Sequence, residues 1–439
     1  VALFLYTCLC YLALPLGVVV HLLFVWRRPE FRQGFWQRYG FLPTSQHRPV
    51  LVHAASVGEL NAIAPLIKRL VTELKLPVLV TTTSVTGQAR CRKLFAANDR
   101  ISWGYLPFDL GFANHVLMRR VNPRAVLLVE TELWPNIIGV CARKGLPVML
   151  VNGRLSARSA HGYQRVQSLV GPMLKKLTHL WVQDQDAANR FIALGAKTDA
   201  VTVVGSLKYD MEIPPEQQAV AEAMRQLGLA PSNSCGLNWV CGSTRKGEEA
   251  SLLQAWSQLP SNINGTLVIV PRHPQRFEAV ADLCQESGLP WLQYSRWEQE
   301  KTLEPAFQDA LEQGKKRVLL VDSMGLLVDF YRIADVVFVG GSLAHTGGHN
   351  PLEAAVLGKP VIMGPHCFNF AQVCDQLEQV HALKITTTST LLDDISILLS
   401  DAELRQSMGL AGQALINQEQ GSLNRHIDAI AGVLEQAIS

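Results

Sequence analysis

The sequence predicts two doubly wound α/β domains in series behind an N-terminal apolar helix. Three observations carry this prediction. The chain has 439 residues, too many for one core, and about 150 residues per domain gives two or three. Its first 26 residues are almost wholly apolar. After residue 45, short apolar β-rich runs alternate with helical stretches of ten or more residues, first from 50 to 205 and again from 238 to 365. Near-continuous apolar strands joined by helices imply a parallel sheet covered on both faces. A composition of 48% hydrophobic and 18% charged residues belongs to folded protein with a large core. The net charge of +3 offers no general field for nucleic acid. Nine cysteines without paired metal spacing read as reduced, cytosolic thiols.

The N-terminal element comes first. As a helix, VALFLYTCLCYLALPLGVVVHLLFVW would rise about 39 Å, against a bilayer core of about 30 Å, with tilt or a kink at Pro15. Arg27, Arg28, Arg32 and Arg38 follow, interleaved with Phe31, Phe35, Trp36 and Tyr39. That mixture suits a cytoplasmic membrane interface with lipid headgroups rather than RNA. A cleaved signal peptide fits less well, because no basic segment precedes the run and no small-residue cleavage site precedes the arginines.

The first series of strands is expected at 50–55, 78–83, 125–130, 147–152, 180–183 and 201–205. A helix is expected at 58–74, with Ile63, Leu66, Ile67, Leu70 and Leu74 on one face. The polar stretch 208–218, with two prolines, reads as a linker. The second series is expected at 238–243, 266–271, 317–322, 336–341 and 360–365, with helices from about 388 onward. Segments 229–236 and 297–315 read as surface. The two domains are expected to face a cleft, with ligands at the carboxyl ends of their strands.

The strand ends carry the chemistry. Gly347 and Gly348 would let a ligand approach backbone N–H groups. Pro351 suits a first helical turn, whose N-terminus favours anions. Glu353 is either a hydrogen-bond acceptor for ribose hydroxyls or a carboxylate favoured by the helix dipole. Arg272 and His273 follow one strand, and Arg245 and Lys246 follow another, a recurrence that suits an anion site. His345 and His349 lie on a glycine loop, not one helix face, and make a poor metal pair. In the first half, Ser56-Val57-Gly58-Glu59 has capping-box spacing, yet Glu59 also stands where a general base would be needed. Glu130 and Glu132 end a strand beside Trp134. Lys208 lies at the domain junction, and spacing alone reads it as a linker lysine. Asp184-Gln185-Asp186 opens a helix, so helix-start acids explain it and no catalytic metal is expected.

Six motifs in order resemble one family: SVGE (56–59), ETELWPN (130–136), NGRLSARSA (152–160), GSLKYD (205–210), VPRHPQRF (270–277) and GGHNPLEAA (347–355). Across essentially the whole chain the sequence is similar to the 3-deoxy-D-manno-octulosonic acid (Kdo) transferases of lipopolysaccharide assembly. The resemblance implies a GT-B enzyme with two Rossmann-like domains. It would invert the sugar while moving Kdo from CMP-Kdo, a substrate, to a lipid A precursor (lipid IVA), with no cofactor. Its implied layout is an anchor at 1–28, an acceptor domain at 29–210, a linker at 211–218, a donor domain at 219–420 and a C-terminal helix at 421–439. Glu59 would be the base, and Glu130 and Lys208 would stabilise the transition state or position the donor. Pro271, Arg272, His273, Met324, Gly325, Leu326, Gly347, Gly348, Asn350, Pro351, Leu352 and Glu353 would bind the CMP sugar. The implied location is the cytoplasmic face of the bacterial inner membrane. Two positions depart from the family: Gln37 often is Glu there, and Arg245-Lys246 interrupt an otherwise familiar STRKGEE segment. The alternatives are a sugar-nucleotide epimerase or hydrolase that needs no lipid, and a non-catalytic nucleotide-binding protein tethered to the membrane.

Overall fold

The structure, a computed structural model, describes residues 1–45, 47–211, 213–229 and 236–436. The chain forms two compact units, Val1–Asp210 with Glu419–Ser439, and Met211–Gln418.

The first unit holds seven strands: β1 (Val50–His53), β2 (Val78–Thr82), β3 (Ile101–Tyr105), β4 (Ala125–Val129), β5 (Val148–Gly153), β6 (His179–Val182) and β7 (Val201–Val203). Their order is β3-β2-β1-β4-β5-β6-β7, and every pairing is parallel. Successive residues of a strand face opposite sides. Leu51, Val126 and Leu128 therefore enter one core, whereas Val50, Val52, Leu127 and Val129 enter the other. This two-sided burial is why the central strands read as unbroken apolar runs. The helix Val57–Thr72 feeds Ile63, Leu66, Ile67 and Leu70 into the second core, as its spacing predicts; Leu74 packs at its margin. Ile427, Ile430 and Leu434 of the last helix, Ser422–Gln436, enter that same core.

The second unit repeats the plan with β8 (Leu237–Thr244), β9 (Gly265–Pro271), β10 (Trp291–Gln293), β11 (Arg317–Leu320), β12 (Val336–Val339), β13 (Val361–Met363) and β14 (Leu383–Ile385). The order is β10-β11-β9-β8-β12-β13-β14, again parallel. Winding reverses between β1 and β4 in one sheet and between β8 and β12 in the other. A crevice opens beyond the carboxyl ends of strands at such a point.

Three strands escape the sequence reading: β3, β10 and β14. All are sheet edges. Exposed Ser102 and Lys384 interrupt two of them, so no continuous apolar run marks them. The expected surface segment 297–315 lies largely in two short helices, Tyr294–Glu300 and Pro305–Glu312, which bury Trp297, Phe307 and Ala310. Most of the other expected surface segment, 229–236, lies outside the described residues.

The N-terminal apolar run forms one helix, Ala2–Arg27, containing Pro15, followed by single turns at Pro29–Arg32 and Trp36–Tyr39. Arg27, Arg28 and Arg32 are exposed, as expected of an interface. Arg38 is not. Its guanidinium sits 4.0 Å over the Tyr105 ring and donates to the Thr83 carbonyl at 3.1 Å, which ties the N-terminal segment to β3 and β2. Gln37 joins it there, its side-chain oxygen accepting from Tyr105 N–H at 2.9 Å.

Candidate active site

At the reversal point of the first sheet, β1 ends in His53 and β4 ends one residue before Glu130. Ser56 caps the helix Val57–Thr72 by accepting from Glu59 N–H at 3.2 Å. The Glu59 carboxylate folds back to accept from Ala55 N–H at 2.8 Å and from the Ser56 hydroxyl at 3.0 Å. The capping-box spacing is thus realised, and the same carboxylate stands at the β1 mouth. A helix N-terminus alone would keep it ionised. Burial and the charge of Glu132, then Glu130, outweigh the local hydrogen bonds and push it up to about 7.

Glu132 is held from two sides. Trp134 Nε1 donates to it at 2.8 Å, and His53 Nε2 lies 3.3 Å away. His53 is fully buried, and its Nδ1 meets the Thr81 carbonyl and hydroxyl, each at 3.1 Å. Burial raises the Glu132 carboxyl, but contact with His53 and the Trp134 hydrogen bond bring it below the ordinary carboxylate range. Two neighbouring carboxylates are therefore driven apart, one towards a base that titrates near neutrality and one kept ionised. His53 escapes the sequence reading because a histidine ending an apolar strand carries no motif of its own.

Glu130 occupies left-handed backbone, φ 51°, where a side chain is strained. Lys208 Nζ lies 3.8 Å from its carboxylate, so this lysine is paired at the site rather than a solvated linker residue. The segment bearing Lys208 is pinned by Asn152, the residue before the end of β5. Asn152 Oδ1 accepts from Leu207 N–H at 3.1 Å, and its own N–H donates to His426 Nε2 at 3.0 Å. That bond requires a neutral imidazole with its proton on Nδ1, 2.8 Å from the Ser422 carbonyl. Burial agrees, pulling His426 down to about 4. Asn152 and His426 are positioning residues that spacing did not reveal, because 274 positions separate them.

In the second unit, Pro271 ends β9 and Arg272 and His273 extend beyond it, exposed. Arg245, just past β8, directs its guanidinium to His273 and His349, 3.3 Å from the latter's Nε2. Burial and the positive charges of Arg272 and Arg245, with a smaller effect of His273, lower His349 to about 4. Lys246 stands exposed beside this group. Glu353 lies close enough to Arg272 for the cation to lower its carboxyl, although burial wins and raises it. Asn350 Oδ1 accepts from Leu352 N–H at 3.2 Å and so begins the short helix Leu352–Ala355 after Pro351. Gly347 and Gly348 both have positive φ, 92° and 71°. A Cβ on Gly347 would come 2.4 Å from the Asn369 amide. Arg245, Arg272, His273, His349 and Glu353 are thus one electrostatic cluster. Met324 and Gly325 form an exposed turn after β11, leading through Leu326 into the helix Leu327–Arg332. Among the described residues, their side chains make no hydrogen bond to the cluster.

The expectation that Gly347 and Gly348 open backbone N–H groups to a ligand is corrected at Gly348, whose N–H donates to the Gly341 carbonyl at 2.7 Å. The first N–H groups of the loop after β12 are also turned inward. The buried Glu248 carboxylate accepts from Gly341, Ser342, Leu343 and Ala344 N–H at 2.8–3.1 Å, and from Arg245 N–H at 2.8 Å. This side chain fills the anion nest and fixes the loop that carries the glycines. The nearby Glu249 pairs with Arg276 at 2.9 Å. Glu248 was missed because one of two adjacent glutamates at a helix start reads simply as a dipole-favoured acid. Asp184 does cap its helix, accepting from Ala187 N–H at 2.7 Å, and Asp186 pairs with Arg190. Among the described residues no three His, Cys, Asp or Glu side chains converge as metal ligands.

The chain matches known proteins over nearly its full length. Residues 33–211 match the family described as 3-deoxy-D-manno-octulosonic-acid transferase (kdotransferase), and residues 249–414 match glycosyl transferases group 1. A 3-deoxy-D-manno-octulosonic acid transferase of Haemophilus influenzae is 33% identical over 442 residues, covering 99% of each chain. One from Bordetella pertussis is 34% identical over 426 residues, covering 93% of this chain and 95% of the relative. In fold the chain is similar to MurG of Acinetobacter baumannii, with a TM-score of 0.53 and 15% identity, covering 88% of this chain and all of that one. With its two parallel sheets and these relatives over nearly its full length, the chain belongs to the 3-deoxy-D-manno-octulosonic acid (Kdo) transferase family of GT-B glycosyltransferases.

Proposed function

We propose that the protein moves Kdo from CMP-Kdo to a hydroxyl of a lipid A precursor such as lipid IVA, with inversion, at the cytoplasmic face of the inner membrane. The observation that carries this reading is the pairing of Glu59, raised to about 7, with Glu132, held ionised by His53 and Trp134. A base that titrates near the working pH is suited to deprotonating an alcohol. In the proposed step the acceptor oxygen attacks the anomeric carbon as its proton passes to Glu59. The bond from that carbon to the phosphate oxygen breaks, and CMP leaves with the electron pair. The charge that develops on phosphate calls for cations. Arg272 and Arg245 supply them beside His273, and Lys208, paired with Glu130, supplies another in the acceptor unit. The donor would lie on Pro271, Arg272 and His273, the Met324–Leu326 turn, and the loop from Gly347 to Glu353. Glu353, its carboxyl raised by burial against the lowering effect of Arg272, suits sugar or ribose hydroxyls. No metal ligand set or cofactor enters this scheme.

The test is product analysis by mass spectrometry with CMP-Kdo and a tetra-acylated lipid A precursor. The expected product is the acceptor plus one or more Kdo units, with CMP released only when acceptor is present. CMP released equally without acceptor would instead favour a hydrolase or epimerase.

A further inference from the structure

The N-terminal helix Ala2–Arg27 is apolar enough and long enough to cross a bilayer. Its contacts argue for a different disposition. Its less exposed positions are 3, 7, 10, 14, 18, 21 and 25, with 2 and 6 beside them, a stripe at three- and four-residue spacing along the whole helix. This stripe carries most of the helix's polar groups, and they are bonded to the first unit. Tyr6 donates to the Asp109 carboxylate at 3.1 Å, and Thr7 to Asn136 Oδ1 at 2.7 Å. The Tyr11 hydroxyl accepts from Phe112 N–H at 3.1 Å. Fifteen residues beyond Tyr6, His21 meets the Tyr39 hydroxyl at 3.1 Å and packs edge-on to Phe108. At the other end, the Leu3 side chain lies against Gly139.

From Leu3 to His21 the docked length is roughly 27 Å, nearly the thickness of a bilayer core at about 30 Å. A helix perpendicular to the membrane would draw Asp109, Asn136 and the ends of two helices through the hydrocarbon with it. Lipid-exposed irregular backbone, such as the segment carrying Phe108 and Asp109 into the helix Gly111–Val121, is not tolerated there. The remaining surface of the helix is apolar and open: Leu5 is 60% exposed, Leu9 63%, Leu12 79% and Leu16 70%. Phe108 and Phe112, themselves partly exposed, continue that surface from helix to domain, and Arg27, Arg28 and Arg32 are exposed at its end. A soluble monomer rarely exposes so long an apolar face.

We infer that this helix lies in the plane of the membrane, its open face sunk into the acyl boundary of a leaflet with anionic headgroups, while Tyr6, Thr7, Tyr11 and His21 hold it to the first unit. It is an in-plane anchor, and both of its ends stay on the same side as the catalytic units. The occupant is lipid rather than a second protein because the apolar face ends in exposed arginines beside aromatics, the composition of a lipid–water boundary. One of the clasped groups also serves the site. Asp109 accepts from Asn136 and Ile137 N–H, each at 2.9 Å, capping the helix that begins directly after Trp134.

The test uses the full chain with a short uncharged epitope at its N-terminus, expressed in a Gram-negative host. Protease is added to intact spheroplasts and, separately, to inverted inner-membrane vesicles. The inference expects the epitope to survive in spheroplasts and to be lost in inverted vesicles, together with the catalytic units. Loss of the epitope from spheroplasts while the units remain protected would show a spanning helix and overturn it. Recovery of the full chain in the soluble fraction would overturn the lipid occupant.

Discussion

At the scale of single residues, the account turns on how neighbours set the Glu59 proton. Its carboxyl titrates near 7, so kcat/KM should rise with pH along an acid limb centred there. Glu132 contributes to that elevation through its charge. Glu132→Gln removes a nearby negative charge, makes ionised Glu59 less costly, and should move the acid limb to lower pH. An unmoved limb would mean another group sets it. Glu130 offers a second residue-scale prediction. Its left-handed backbone costs about 1–2 kcal/mol in a residue with a side chain. Glu130→Gly should therefore leave thermal stability equal or higher while transfer falls at least tenfold. Sequence motifs pointed to Glu59, Glu130 and Glu132. They did not reveal the environment that raises Glu59 and lowers Glu132, because the latter depends on His53, itself held by Thr81 of a neighbouring strand.

Secondary-structure elements show how the sites are held. Glu248 is buried and accepts from five backbone N–H groups across Arg245 and the loop after β12. Glu248→Ala would orphan those donors. It should cost the second unit about 3 kcal/mol or more, read by chemical denaturation, and weaken CMP binding in step. In the first unit the last helix is fastened by neutral His426. The folded imidazole takes its proton only near pH 4, below the ordinary histidine value of 6.5. Its stabilising effect is therefore complete above 6.5 and is lost as pH falls towards 4. Hydrogen-exchange protection factors in Ser422–Gln436, corrected for the intrinsic pH dependence of amide exchange, should fall across that interval, and His426→Asn should flatten the dependence. Most central strands were legible because burial on both faces leaves an unbroken apolar run. The edge strands β3, β10 and β14 were not, since one-sided or very short strands tolerate Ser102 and Lys384. The packing of the last helix into the first unit, through Ile427 and Ile430, joins residues far apart in the chain, and no local pattern encodes such a contact.

At the scale of the whole molecule, the proposed function assigns the N-terminal helix to the membrane, the acidic cluster to the acceptor and the arginine cluster to the donor. The helix is fastened to Asp109, which also caps the helix following the Glu130–Trp134 segment. Removing residues 1–28 should release the protein from membranes and leave its circular dichroism largely intact, because both cores of the first sheet are built from other elements. The central claim is that Glu59 takes the acceptor's proton. It is tested most directly by Glu59→Gln, assayed for Kdo transfer to a lipid A precursor alongside calorimetric CMP binding. The account predicts transfer lowered by about 100-fold to 10,000-fold, the range for a general base, with CMP affinity unchanged. Transfer within a few-fold of the parent protein would contradict it.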